Sequence, residues 1–208
     1  MTQPYANCPN CGAKITFRWS SSVQTVCEYC KSILVRTDID LEKVGQVADL
    51  PPNSSPVQVG TEGVHDGKAF VVIGRIIYEY DQGNWNEWHL VMNNGSAWLS
   101  DAQNDYAVTV AAKDRKVPSQ CKVGQHYTWD NEDYAVTTIT KAHYNGVEGE
   151  LPFQYWGKEN LVFVDLMATN GKFATIDYSD PTPALYLGQS VEFEDLHFTN
   201  LRKFEGWS

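Results

Sequence analysis

The chain has 208 residues, of which 42% are hydrophobic, and this ordinary globular composition excludes wholesale disorder. No apolar run approaches the roughly 18 residues that a membrane-spanning helix needs. The first residues also lack the basic start and apolar core of a secretory signal. We therefore expect a soluble protein of the cytoplasm with no membrane span.

The formal net charge of −10 is unevenly distributed. Residues 1–36 carry four basic side chains against one acidic side chain, Glu28, whereas the rest of the chain carries 12 basic and 25 acidic side chains. An acidic body repels nucleic acids and anionic lipid headgroups. Any nucleic-acid contact would therefore involve residues 1–36, and we expect no nucleic-acid partner for the body.

The strongest motif is a pair of C-x-x-C sequences, Cys8 with Cys11 and Cys27 with Cys30, separated by 15 residues. This spacing is typical of a tetrathiolate zinc site. Disulfides are disfavoured without an export signal, and a thioredoxin-like redox pair would need a strand–helix context. The sequence predicts one structural Zn²⁺ per chain in a zinc ribbon over residues 1–36.

The segment between the cysteine pairs predicts a hairpin, because Ile15, Phe17 and Trp19 alternate with polar residues before a Ser-rich turn and a strand at 23–26. A third strand is expected over Ser32–Arg36. Residues 37–56 then resemble a linker. Leu41, Val44 and Ala48 follow helical spacing, so we expect one short amphipathic helix there.

From residue 57 the pattern is strand, turn, strand. Gly74 interrupts the first long strand, which indicates a β-bulge or a close backbone approach. The pair Val59-Gly60 recurs 64 residues later as Val123-Gly124, which indicates an internal duplication. The predicted strands are 69–80, 85–92, 96–100, 106–111, 161–167, 173–178, 185–187 and 191–198.

These patterns predict an all-β fold: an N-terminal zinc ribbon, then a duplicated antiparallel β body of two similar small barrel- or sandwich-like units. The first β unit is placed at 57–118, the second at 119–200 and a C-terminal tail at 201–208. Because Phe204 and Trp207 are large and apolar, we expect this tail to dock on the body rather than stay free.

Several segments of the body resemble a known family. The stretch from Val59 to Ala102, with its GRIIY and WNEW sequences, then GELP, FATIDY and YLGQSVEF, is similar to bacterial proteins containing the domain of unknown function 4178. Such proteins often carry an N-terminal zinc ribbon, although Lys31 stands where ribbons often have glycine. The resemblance implies no established activity and an accessory role in a bacterial membrane-stress system.

The most distinctive side chains outside the ribbon are aromatic residues of one hairpin with two charged neighbours. They either line a binding surface or form the hydrophobic core of a β protein. No catalytic constellation, phosphate loop or nucleophile elbow is present in the sequence. The candidate binding surface consists of Arg75, Tyr78, Trp85, Glu87, Trp88 and Trp98.

Three functional hypotheses remain open. The first is a non-enzymatic adaptor that binds a protein partner. The second is an enzyme or small-molecule binder that uses the hairpin around Trp85 and Trp88. The third is nucleic-acid binding through the basic ribbon, where Phe17, Trp19 and Tyr29 lie among the basic side chains.

Overall fold

The computed structural model describes residues 5–37, 40–47, 50, 54–93, 95–154 and 161–204. Within these residues the regular elements are fifteen β-strands and one turn of 3-10 helix at Glu194–Leu196. The all-β prediction is therefore confirmed. No helix of these described ranges has the length and hydrophobicity required to cross a bilayer.

The N-terminal region has five strands: β1 Tyr5–Asn7, β2 Lys14–Thr16, β3 Gln24–Val26, β4 Ser32–Arg36 and β5 Leu41–Gln46. Strands β1 and β2 form a small antiparallel sheet, whereas β3, β4 and β5 pair in that order and extend the large sheet of the body. The predicted hairpin between the cysteine pairs is wrong, because each C-x-x-C turn lies inside a hairpin and brings together the strands on either side of it.

The predicted short helix of the linker is also wrong. Leu41–Gln46 is strand β5, which pairs with β4 from Arg36 to Ser32. A helix of six residues would leave most of its backbone groups without partners, whereas pairing with β4 satisfies them. Leu41, the first residue of this strand, is buried. Ala48 lies outside the described residues.

The body contains two runs of strands, each of which begins with a short hairpin. The first run has β6 Glu62–His65, β7 Lys68–Tyr80, β8 Gly83–Met92, β9 Gly95–Ala102 and β10 Asp105–Ala111. The second run has β11 His126–Trp129, β12 Glu132–Leu151, β13 Leu161–Met167, β14 Lys172–Asp177 and β15 Ala184–Val191.

The two runs close into one ring of eight strands. Strands β7 to β10 pair consecutively, as do β12 to β15, and the runs are joined by the β10–β15 and β7–β12 pairings. The halves therefore form one structure and not the two separate units that we expected. Each run alone would expose two sheet edges, and mutual pairing removes them.

Several details recur at a spacing of 64 residues. The amide of Gly60 donates to the carbonyl of Val72 (2.8 Å), and the amide of Gly124 donates to the carbonyl of Val136 (2.9 Å). These recurrences support the duplication, which remains a prediction. The same spacing separates the turns at Asp66-Gly67 and Asp130-Asn131, and the β-bulges at Val72/Gly74 and Val136/Thr138.

The outer face of the ring carries two hydrophobic cores, one in each half. The first includes Phe70 and Trp88 and is covered by Val57 and Leu196; the second includes Leu166 and is covered by the β11 hairpin. The strand predicted at 191–198 is therefore wrong. Strand β15 ends at Val191, and the 3-10 turn then places Leu196 against the first core.

The C-terminal segment follows the same outer face as far as it is described. The amide of Arg202 donates to the carbonyl of Pro56 (2.8 Å), and its guanidinium lies 4.7 Å from the ring centre of Phe204. Phe204 is 36% exposed. Trp207 lies outside the described residues, so docking of the whole tail remains a prediction.

Candidate functional site

The two cysteine turns have the same backbone geometry. The amide of Gly12 donates to the carbonyl of Cys8 (2.8 Å), and the amide of Lys31 donates to the carbonyl of Cys27 (2.9 Å). Gly12 and Lys31 have φ angles of 75° and 58°. Lys31 therefore adopts a left-handed conformation that costs a residue with a Cβ about 1–2 kcal/mol.

The four cysteine sulfurs lie close together between these turns. The Sγ atoms of Cys8 and Cys30 are 3.7 Å apart, as are those of Cys11 and Cys27, and all four lie within 4.8 Å of one another. A tetrahedral zinc with bonds of about 2.3 Å requires sulfurs about 3.8 Å apart, whereas a disulfide requires about 2.05 Å. The residues present fit a metal ion.

Polar groups around Cys30 favour its thiolate form, which is the form that binds metal. The Ser32 hydroxyl lies 3.1 Å from the Sγ of Cys30. Hydrogen bonding from Ser32, followed by that from Asn10, lowers the pKa of Cys30 to about 5. With four sulfurs around one position, a bound zinc would have a full set of ligands and no place for a water or substrate.

A buried carboxylate, Glu150 on β12, joins the ribbon to the strand ring. Its side chain accepts hydrogen bonds from the amide of Arg18 (2.7 Å), the amide of Trp19 (3.3 Å) and the hydroxyl of Ser22 (2.6 Å). Strand β3 also pairs with the end of β12. The ribbon therefore sits at one end of the ring and shares its sheet.

An aromatic stack continues from this junction towards the ring interior. His89 lies between the rings of Trp19 and Trp98, with centroid distances of 5.3 and 5.0 Å, and Trp98 stacks in turn on Phe153 at 5.7 Å. The Nδ1–H of His89 donates to the Glu150 carbonyl (3.0 Å). Burial lowers the pKa of His89 to about 4, so its ring is neutral at neutral pH.

The candidate binding surface divides between the two faces of the ring. Alternation along the strands places four of its residues on the inner face and two on the outer face. The outer residues are Arg75 and Trp88, and both are buried. The inner residues are Tyr78, Trp85, Glu87 and Trp98.

The two outer residues have structural partners. Arg75 forms an ion pair with Glu148 (2.8 Å) and donates to Asn86, and its guanidinium lies 4.9 Å from the ring centre of Trp88. The indole Nε1–H of Trp88 donates to Asp101 (3.2 Å). Because of these contacts, Arg75 and Trp88 are structural parts of the outer face of the ring.

The inner residues line a cavity in two connected parts. An outer space of about 540 Å³ and an inner recess of about 50 Å³ share Glu87, Phe163 and Thr175 as lining residues. Eight strands enclose an interior just wide enough for side chains or one small ligand. The interior therefore retains room for a small molecule.

Sequence reasoning missed the part of this cavity that the second run of strands supplies. Phe163 and Asp165 share one face of β13, and Thr175 and Asp177 share one face of β14. Alternation alone places each pair on one face of its strand. That these faces meet Glu87 follows only from closure of the ring.

Comparison with known proteins assigns the body of the chain to a protein family. A family model described as a domain of unknown function (DUF4178) matches residues 58–193. This range contains the whole ring and excludes the cysteine cluster. Searches of curated proteins and of solved structures gave no match. The chain belongs to the DUF4178 family.

Proposed function

We propose that this protein is a non-enzymatic zinc-ribbon adaptor with one structural Zn²⁺ per chain, held by Cys8, Cys11, Cys27 and Cys30. The observation that carries the proposal is the closed set of four sulfurs at tetrahedral spacing. A site with four protein ligands stabilises a fold, whereas a catalytic zinc keeps one position open.

The metal would act by fixing the ribbon on the ring. The hydrophobic cluster of the ribbon is small and contains two of the cysteines themselves, so the segment cannot bury enough apolar surface without the ion. Once folded, the segment supplies the three donors whose hydrogen bonds the Glu150 side chain accepts. The metal thereby also organises the end of the ring that the ribbon covers.

A groove between ribbon and body supports a protein partner. It has a volume of about 420 Å³, and its lining includes Tyr29, Val59 and Ile73 together with two basic and two acidic side chains, Lys14, Arg18, Glu28 and Glu150. Charged groups of both signs and an aromatic ring beside apolar side chains suit an extended segment of another protein. The family resemblance adds the proposal that this partner belongs to a bacterial membrane-stress system in the cytoplasm.

Nucleic-acid binding through the ribbon has less support. Phe17 is 4% exposed, and Trp19 packs against His89, so neither ring is free to stack on a base. Tyr29 and Tyr5 are exposed, at 78% and 63%. Two isolated rings, one of which has the Lys14 ammonium 4.4 Å from its centre, give little of the stacking on which single-strand binding depends.

The adaptor role is tested by affinity purification from the native host under crosslinking, with wild type and two tyrosine variants. Tyr29→Ala removes a residue that lines the groove, whereas Tyr5→Ala removes an exposed tyrosine of the same ribbon outside it. We expect one specific protein with wild type and Tyr5→Ala, and a reduced yield with Tyr29→Ala. Absence of a specific protein, or equal yields from both variants, would contradict the adaptor role.

A further inference from the structure

The interior of the ring combines acidic and aromatic side chains in one cavity that opens to solvent. Glu87 on β8 lies where the outer space and the inner recess meet. Its carboxylate accepts a hydrogen bond from the indole Nε1–H of Trp85 (3.1 Å) and one from Ser100. Asp165, on the opposite run of strands, lines the same outer space and accepts from Thr175.

The acidic side chains that line this space outnumber the basic ones. Lys141 is the basic side chain among the described lining residues of the outer space, which also include Asp81, Glu87 and Asp165. Within the described ranges, neither Glu87 nor Asp165 has a cationic side chain within 4.0 Å. Burial raises the pKa of Glu87 to about 8 and that of Asp165 to about 6, so a cation beside these groups would favour their charged forms.

The inner recess beyond Glu87 is mainly aromatic, although Asp177, Thr109 and Thr175 also line it. Tyr78, Trp98, Phe163 and Tyr186 line it, and the rings of Tyr78 and Phe163 are in edge contact at 4.8 Å. Aromatic rings offer an alkyl chain a large apolar surface to pack against. A volume of about 50 Å³ accommodates roughly four water-sized groups, which matches a short alkyl chain.

A metal ion does not fit this interior. Among the described residues, the cysteine cluster is the group of three or more ligand-type side chains that lies close enough to hold an ion. Calcium and magnesium take six or more oxygen ligands, and aromatic rings supply none. An organic cation can instead place its charge at the carboxylates and its carbon atoms against the rings.

From these contacts the geometry points to a binding site for a small alkylammonium ion, with the ammonium group at Glu87 and Asp165 and the alkyl chain in the aromatic recess. The ammonium group donates hydrogen bonds to the two carboxylates. Tyr78, Trp98 and Tyr186 enclose the chain. This site is independent of the zinc site and adds a small ligand to the proposed adaptor role.

The indole groups of the protein provide a direct readout. The Trp85 Nε1–H is bonded to Glu87 inside the ring, whereas the Trp88 Nε1–H is bonded to Asp101 outside it. The ¹⁵N-labelled, zinc-loaded full chain is titrated with n-butylammonium, at about pH 9, where an alkylamine is still largely charged. We expect the Trp85 indole signal to shift and the Trp88 signal to stay.

Uncharged and anionic probes of the same size separate charge recognition from filling of a void. n-Butanol and butyrate are titrated in the same way, and we expect at least tenfold weaker binding of both. Methylammonium and benzylammonium test the size of the recess. Equal binding of n-butanol, or no shift of the Trp85 signal with any ammonium ion, would overturn the assignment.

Two variants locate the site. Glu87→Gln keeps the size and one acceptor of the side chain and removes its charge, so we expect n-butylammonium binding to weaken tenfold or more. Glu79→Gln removes one charge from an exposed position on the neighbouring strand, and binding should be unchanged. Unchanged affinity in Glu87→Gln would place the cation elsewhere and refute the proposal.

Discussion

Replacing Glu87 with glutamine is expected to make the empty protein more stable at alkaline pH. Desolvation, with added repulsion from Asp165 and Asp177, raises the pKa of Glu87 from 4.5 to about 8, although hydrogen bonds from Ser100 and Trp85 oppose the shift. Between these two pH values the folded state holds a proton that the unfolded state has lost. Stability is therefore highest below the unfolded pKa and falls as pH rises through about 8.

The magnitude follows from the size of the shift. Each pKa unit corresponds to about 1.4 kcal/mol, so wild type should lose about 2–3 kcal/mol between about pH 6 and about pH 8 through Glu87 alone. Water in the adjoining cavity screens the charge and reduces this loss to about 1–2 kcal/mol. Glu87→Gln has no charge to bury at that position and should lack this loss.

Urea unfolding of wild type, Glu87→Gln and the exposed control Glu79→Gln at several pH values measures the effect. The groups that face Glu87 and can titrate are the same in all three proteins. The reasoning is refuted if wild type and Glu87→Gln lose stability in parallel, or if the variant is the less stable of the two at about pH 9. The facing groups are Tyr78, Tyr80, Asp81, Lys141, Asp165, Asp177 and Tyr186.

Three further predictions, two of them with a paired substitution, test the ribbon and the ring. Lys31→Gly should raise the stability of the zinc-loaded protein by about 1 kcal/mol in thermal melts because it relieves a positive φ, and Gly12→Ala should lower it. Glu150→Ala should lower the free energy of unfolding by about 2–4 kcal/mol and speed hydrogen exchange of the ribbon amides, because three donors lose their acceptor. Unchanged hydrogen exchange would argue against a junction at Glu150. Gly74→Ala should prevent or severely weaken folding because its Cβ would collide with the Glu150 carbonyl, whereas Gly45→Ala should be tolerated.

Sequence patterns predicted most strands of the ring because their signals are local. Alternating and β-branched residues between turn residues predicted β7 to β10 and β13, and Gly74 lies at the β-bulge and close approach that its position indicated. The linker strand β5 was missed. Its apolar spacing fits a helix, and what decides its structure is the free edge of β4, which is not visible in the sequence of β5 itself.

For the same reason, only about half of the cavity lining could be predicted from the sequence. Trp85 and Glu87 stand on one face of β8, as alternation predicts, whereas Trp88 belongs to the outer core. Asp165 and Phe163 are more than 70 residues further along and meet Glu87 through the β7–β12 and β10–β15 pairings. Contacts made by closure of a ring leave no local pattern in either partner.

The most direct test of the central claim is the metal content of the native protein. Native mass spectrometry counts the ions bound per chain in wild type, in Cys27→Ser and in the control Cys121→Ser, which lacks a cysteine outside the cluster. We predict one zinc per chain in wild type and in Cys121→Ser, and loss of zinc together with the ribbon fold in Cys27→Ser. A metal-free wild-type chain with a fully folded ribbon would contradict the account.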